Sequence, residues 1–244
     1  MMTQRFALVL GASGGIGEVI SNQLAEAGWS LYLHYHSNSQ QVTNLQKELA
    51  AKYPQQEFRI AQADFRMEHA ADELALNVQS VEAIVVANGQ AVVKLLSETT
   101  AIEMAELWQV HMQNPARLIA LLSAKLRKCP VSYILFIGSI WGSAGAAGEV
   151  MYSAVKGAQH AFVKAYAKEA AYSGIRVNAI APGWIDTRMN QEFSSEERQM
   201  VMDQIPLLSV GTPQEIANMV EFMLSGKADY MTGEIIQING GWYI

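Results

Sequence analysis

Short apolar runs alternate with longer amphipathic stretches along the whole chain. The runs fall at Phe6–Leu10, Ser30–Tyr35, Phe58–Gln62, Ala83–Ala87, Ser132–Ile137, Arg176–Ile180 and Ile235–Ile238. Most are apolar at nearly every position rather than at every second one, which is what strands covered on both faces show. The intervals read as helices, so the chain is a succession of βαβ units. The pattern predicts an α/β fold, a doubly wound sheet of about seven parallel strands with helices on both faces. No Pro/Gly/Ser-rich linker or charge run interrupts it and the six prolines are scattered, so residues 1–244 read as one domain. The longest predicted helix, from about Ala101 to Arg127, carries His111 and Asn114 three apart on one face. Pro115 predicts a kink there, with exposed carbonyls able to hold water.

Composition narrows the function classes. Half of the 244 residues are hydrophobic, enough for a substantial core. The net charge is −6 and the 17 basic residues form no run, so a nucleic-acid partner is not expected. The one cysteine, Cys129, allows no internal disulfide and has no neighbouring Cys or His ligands, so it reads as a structural thiol and no metal is expected. The apolar run Phe6–Leu10 is too short for a signal segment or a membrane span. A cytoplasmic protein without a membrane partner is the expectation.

The first unit reads as a strand, then Gly11-Ala-Ser-Gly-Gly-Ile-Gly17, then a helix. Glycines there permit a tight turn and let a helix N-terminus approach a pyrophosphate. The spacing is Gly-x-x-x-Gly-x-Gly, so the commoner Gly-x-Gly-x-x-Gly fingerprint is not met literally. Gly11, Ser13, Gly15, Ile16 and Gly17 are therefore candidate dinucleotide-binding positions. At the end of the second strand an Asp or Glu would favour NAD. Here Leu31–Asn38 holds no carboxylate, so NADPH is preferred and NADH not excluded. His36, Ser37 and Asn38 are candidates beside a 2′-phosphate; the plainer alternative is a polar loop and helix cap. Asp64 could receive an adenine amino group, and Asn88-Gly89 ends the next strand at the same edge.

Ser139 leaves the fifth strand, and Tyr152 and Lys156 follow one helical turn apart, projecting from one face. Reduction of a ketone needs a proton at oxygen as hydride reaches carbon. Tyrosine, with an ordinary pKa of about 10, is a poor source at neutral pH unless a neighbouring ammonium stabilises its phenolate. A serine hydroxyl can hold the oxygen in place.

These motifs, with Pro182-Gly-Trp-Ile-Asp-Thr187, resemble those of the short-chain dehydrogenase/reductase family in its compact single-domain, Rossmann-type form, over the full length of the chain. The resemblance implies Tyr152 as proton donor, Ser139 orienting the carbonyl, and Lys156 also binding the nicotinamide ribose. It implies Pro182, Gly183, Ile185 and Thr187 along the cofactor, with Ile185 and Thr187 at the carboxamide, and a helical substrate lid over about 190–208. Arg188 and Arg198, the basic residues near that lid, read as surface groups. Three positions depart from the pattern: Leu10 stands for a threonine, Val86-Ala-Asn-Gly89 for Asn-Asn-Ala-Gly, and His111 for an asparagine that holds the proton-relay water. A histidine there is expected to hold water and to titrate near neutrality, with help from Asn114.

Within the family the stretch from Met231 to Ile244 is similar to bacterial 3-oxoacyl-[acyl-carrier-protein] reductases, which implies a ketone substrate on acyl carrier protein or CoA and a homotetramer. Leu31–Asn38 and His111 look more like a paralogous branch that includes a reductase of the 5-aminopentanone group on elongation factor P. A catalytically silent nucleotide-binding scaffold is a third alternative, against which the intact Ser139, Tyr152 and Lys156 argue.

Overall fold

The computed structural model describes residues 4–187 and 193–243. Seven parallel strands form one sheet in the order β3-β2-β1-β4-β5-β6-β7. They are β1 (Phe6–Leu10), β2 (Ser30–Tyr35), β3 (Phe58–Gln62), β4 (Ala83–Val86), β5 (Ser132–Ile137), β6 (Ile175–Pro182) and β7 (Ile235–Ile238). The expected strands are all present; β4 is one residue shorter and β6 runs on through Pro182. Parallel pairing in register, such as Val9 opposite Leu33 on one side and Val85 on the other, leaves alternate side chains for the two faces.

Each face has its own core. On one, Leu8, Leu10, Ile84, Val86, Ile134 and Phe136 meet α3 (Ala70–Asn77), α5 (Asn114–Leu126) and α7 (Val150–Ala170). On the other, Ala7, Val9, Leu31, Leu33, Val85 and Leu135 meet α1 (Gly15–Glu26), α2 (Ser39–Lys52) and α9 (Pro213–Leu224). The strand order reverses between β1 and β4, and a doubly wound sheet opens a crevice at the carboxyl ends of such strands. The candidate residues gather along that edge.

One predicted element is divided. The long helix becomes α4 (Ala101–Trp108), a π-helical turn (Gln109–Gln113) and α5. No helix of the described residues is long and apolar enough to cross a membrane, and none of their His, Cys, Asp and Glu residues group to hold a metal ion.

Candidate active site

Gly11 turns the chain off β1 with φ of +79°, a conformation that favours glycine. A Cβ on Gly17 would lie 2.1 Å from the Gly11 carbonyl oxygen, so α1 can start this close to the turn only without a side chain. The first turn of α1 thus brings N–H groups lacking intrahelical acceptors, and its positive dipole end, to the crevice. A Cβ on Gly15 would sit 3.3 Å from Thr187 Cβ, which shows how closely the segment after β6 approaches. That segment is tied down: Gly183 N–H donates to Ile238 O at 2.9 Å, and buried Ile185 bridges to Gly211. Gly11, Ser13, Gly15, Ile16 and Gly17 therefore flank one side of the crevice and Pro182, Gly183, Ile185 and Thr187 the other. A glycine cradle of this shape beside a helix N-terminus fits a dinucleotide pyrophosphate.

Sequence reasoning missed the strut beneath this turn. His34, 2% exposed in β2, accepts the Gly11 N–H at Nδ1 (3.0 Å) and donates from Nε2 to Ala63 O (3.1 Å). Its ring stacks on Phe65 with centroids 4.9 Å apart, and burial pushes its pKa down to about 4. A histidine inside an otherwise apolar strand was the only signal.

After β2, Asn38 caps α2, accepting from Gln41 N–H at 3.2 Å, and exposed Ser37 lies beside it. Asp64 is gripped by Arg66, through Nε to Oδ1 at 3.0 Å and Nη2 to Oδ2 at 2.8 Å, and these hydrogen bonds hold its pKa down to about 2. His36 joins them, its Nε2 3.3 Å from Asp64 Oδ2 and 3.0 Å from Arg66 Nη2. Arg66 is a second residue that sequence reasoning passed over.

On the other side of the crevice, Ser139 lies between β5 and the short helix α6 (Trp141–Ala144), 7% exposed, its Oγ accepting the Trp141 N–H at 3.2 Å. Tyr152 and Lys156 project from α7. Lys156 is 4% exposed, donates to Ile137 O at 2.9 Å, and its Nζ stands 5.6 Å from the Tyr152 ring centroid. Burial pushes Tyr152 up to about 12, with the Glu149 charge adding and a hydrogen bond from Ser139 opposing. Burial also pushes Lys156 down to about 7. The direction for the tyrosine is thus opposite to the expected lowering, because burial sets the shift of each group.

The π-turn has a local cause. Pro115 has no N–H for the His111 carbonyl, and the Asn114 N–H reaches back to Gln109 O instead of to Val110 O. Two successive carbonyls lose their helical donors. Side chains take up both: Asn88 Nδ2 donates to Val110 O at 2.8 Å and Gln159 Nε2 to His111 O at 2.8 Å. Asn114 does not assist His111. Fully buried, it accepts the Ala71 N–H and donates to Phe65 O and Met67 O, tying α5 to the segment before α3.

The His111 ring is 1% exposed and meets Tyr152 edge-on with centroids 5.7 Å apart. A Cβ on Gly89 would lie 2.7 Å from its Cε1, so Gly89 makes room for the ring. Nε2 is 2.9 Å from Gln90 O and 3.2 Å from Gln90 N, while Nδ1 has no partner among the described residues. Burial, reinforced by the Lys156 charge, pushes its pKa down to about 3, so titration near neutrality is also corrected. His160, one turn beyond Lys156, is buried beneath the Ser139 turn; its Nδ1 is 3.2 Å from Ser143 Oγ and its Nε2 has no partner among the described residues. Of the expected lid, α8 (Ser195–Met202) is placed, with Arg198 3.0 Å from Asp186; Arg188 and residues 190–192 lie outside the described residues.

A doubly wound sheet with a glycine turn at its switch point, and Ser139, Tyr152 and Lys156 along the same edge, defines a dinucleotide-binding oxidoreductase. A family model described as enoyl-(acyl carrier protein) reductase matches residues 11–243, and the chain belongs to the short-chain dehydrogenase/reductase family. It is 42% identical over 238 residues to the uncharacterized oxidoreductase YmfI of Bacillus subtilis, covering 97% of this chain and 98% of that protein. It is 31% identical over 242 residues to the 3-oxoacyl-[acyl-carrier-protein] reductase FabG of Aquifex aeolicus, covering 98% and 97%. Among solved structures, a blue fluorescent protein from a metagenomic library in complex with NADPH superposes with a TM-score of 0.92 at 28% identity, covering 98% of each chain.

Proposed function

We propose that the protein is an NADPH-dependent ketone reductase that yields a secondary alcohol. The observation that carries this reading is the set of buried Ser139 and Lys156 with half-buried Tyr152 at the carboxyl edge of the sheet. The bound nicotinamide dinucleotide supplies the hydride. Ser139 orients the carbonyl oxygen and Tyr152 gives it a proton. Burial keeps that phenol protonated at neutral pH, and an alkoxide is far more basic than a phenolate, so the transfer runs downhill. The low local dielectric that disfavours an isolated charge strengthens the Lys156 attraction once a phenolate forms. Asn88, Gly89 and His111 back this set on the β4 side, and His111 serves the return of the proton.

Preference for NADPH is supported by the absence of a carboxylate on β2 and the segment just after it, and by Arg66 and His36, which gather there although both are paired with Asp64 from just beyond the end of β3. The similarity to an NADPH complex supports it. Oxidation of NADPH and NADH with an acetoacetyl thioester tests cofactor and substrate class together. Tyr152→Phe is expected to lower turnover at least about a thousandfold with dinucleotide affinity nearly unchanged. Turnover within tenfold of the parent would sink the mechanism.

The FabG relatives favour a 3-oxoacyl group on acyl carrier protein or CoA. A second reading, a ketone bearing an ammonium such as the 5-aminopentanone of elongation factor P, is favoured by Glu149. This half-buried carboxylate belongs to the N-cap residue of α7, makes no side-chain capping hydrogen bond, lies three residues before Tyr152 and has no ion-pair partner among the described residues. Burial raises its pKa while a hydrogen bond from Trp141 opposes the rise, and a cationic substrate would bring the missing countercharge. Glu149→Gln should then cost an amine-bearing ketone about tenfold in kcat/KM and leave an acetoacetyl thioester unaffected; equal effects on both would remove this reading.

A further inference from the structure

The two amides on the π-turn are not equivalent in what they touch. Asn88 holds the Val110 carbonyl from the end of β4, whereas Gln159 holds the carbonyl of His111 itself, reaching across from the helix that carries Tyr152 and Lys156. Gln159 is fully buried, stands three residues after Lys156, and its Oε1 has no partner among the described residues. We propose that Gln159 is a positioning residue of this site: its amide closes the His111 carbonyl and thereby seats the imidazole, so that the ring rather than the carbonyl serves the proton path behind Tyr152 and Lys156.

Three observations support this. First, Pro115 cannot satisfy the His111 carbonyl, and Gln159 donates to it instead at 2.8 Å. Second, the other end of the ring is anchored in a way that leaves its tautomer open. The Gln90 peptide offers Nε2 both an acceptor and a donor, its O at 2.9 Å and its N at 3.2 Å. With Nε2 protonated the ring donates to Gln90 O and Nδ1 is an acceptor; with Nε2 bare it accepts from Gln90 N–H and Nδ1 is a donor. A neutral imidazole held this way offers either hydrogen-bonding role at Nδ1, as a side-chain amide offers both of its own. Third, the surroundings keep the ring neutral. The titratable groups packed on it are Tyr152 and Lys156 of α7, while β4 and the segment after it contribute the uncharged Asn88, Gly89 and Gln90. This inference rests on reading the site as a reductase, but the first readout of its test does not depend on turnover.

The test is the full-length protein with 15N-labelled histidine, followed by two-bond 1H–15N correlation spectra from pH 5 to 8, His111 being assigned by its loss in His111→Asn. In the parent the ring is expected to stay neutral throughout. Gln159→Met removes the amide at nearly constant length; the carbonyl then loses this donor, the ring loses its seat, and its titration moves up by roughly two pH units toward the ordinary histidine value. Turnover of any accepted ketone should fall about tenfold in the same variant and show no further fall when His111→Asn is already present. If Gln159→Met does not fold, Gln159→Asn, an amide one methylene too short, replaces it. An unshifted His111 titration, or an equal fall in turnover with and without His111, overturns the proposal. An active Tyr152→Phe would instead overturn the reductase reading.

Discussion

Two buried histidines stand at opposite ends of the same crevice and differ in one respect. His34, under the glycine turn, has both ring nitrogens bonded within the chain, to Gly11 N–H and Ala63 O. His111, beside Tyr152, has one nitrogen on Gln90 and the other without a partner among the described residues. At this end the pattern repeats: Asn88 Oδ1, Gln159 Oε1 and His160 Nε2 are buried and have no partner among the described residues. Folded proteins rarely leave buried polar atoms unpaired, and such atoms gathered at one place point to groups that substrate, dinucleotide or water complete. The dinucleotide end is a finished scaffold, whereas the catalytic end is built to receive partners. This contrast implies that substitutions at the first end act on folding and those at the second on chemistry.

The largest effect is expected at the glycine turn. Gly17→Ala places a methyl 2.1 Å from the Gly11 carbonyl oxygen, against backbone that cannot move without shifting α1 or β1. Thermal unfolding should show a loss of roughly 4 kcal/mol or more, and dinucleotide affinity should vanish with it. A stable Gly17→Ala protein that still binds NADPH would erase the distinction between the two ends.

What the sequence disclosed follows the same division. The strands were legible because Phe6–Leu10 or Ser132–Ile137 are apolar throughout, a pattern set by burial on two faces. Ser139, Tyr152 and Lys156 were legible because their spacing along one strand end and one helix brings them together. Arg66, His34 and Gln159 were not, since each acts across a sequence gap: Arg66 on His36, His34 on Gly11 and Ala63, Gln159 on His111. The π-turn was half legible. Pro115 announced that a carbonyl would lose its donor, but nothing local shows that side chains 22 and 48 residues away replace it.

A paired substitution probes the contrast at intermediate size. His34→Leu leaves the Gly11 N–H and Ala63 O buried without partners and should cost roughly 2–5 kcal/mol in urea unfolding. His160→Leu removes a ring with one weak hydrogen bond, to Ser143, and an unpaired nitrogen, so stability at pH 7 should stay within about 1 kcal/mol of the parent. Equal losses in the two variants would mean that partner count does not separate the two ends.

The smallest effect is one of pH. The folded pKa values of His34 and His160 lie near 4, below the 6.5 of an unperturbed histidine, because burial disfavours the cation. Between pH 6.5 and 4 the unfolded chain therefore binds more protons than the folded one, so the stability present above 6.5 is lost as the pH falls through that window. For His34 the loss at pH 5.5 is roughly 1 kcal/mol. His160→Leu removes one of the contributing groups. A variant matched to the parent at pH 7 should thus become the more stable of the two by on the order of 1 kcal/mol at pH 5, while His34→Gln, which keeps a polar group but cannot be protonated, should flatten the slope from a lower starting stability. Urea unfolding midpoints at pH 7, 6 and 5 read this directly. Parallel curves for the parent and His160→Leu would show that His160 titrates alike in both states, and that its burial at the catalytic end carries no proton-linked cost.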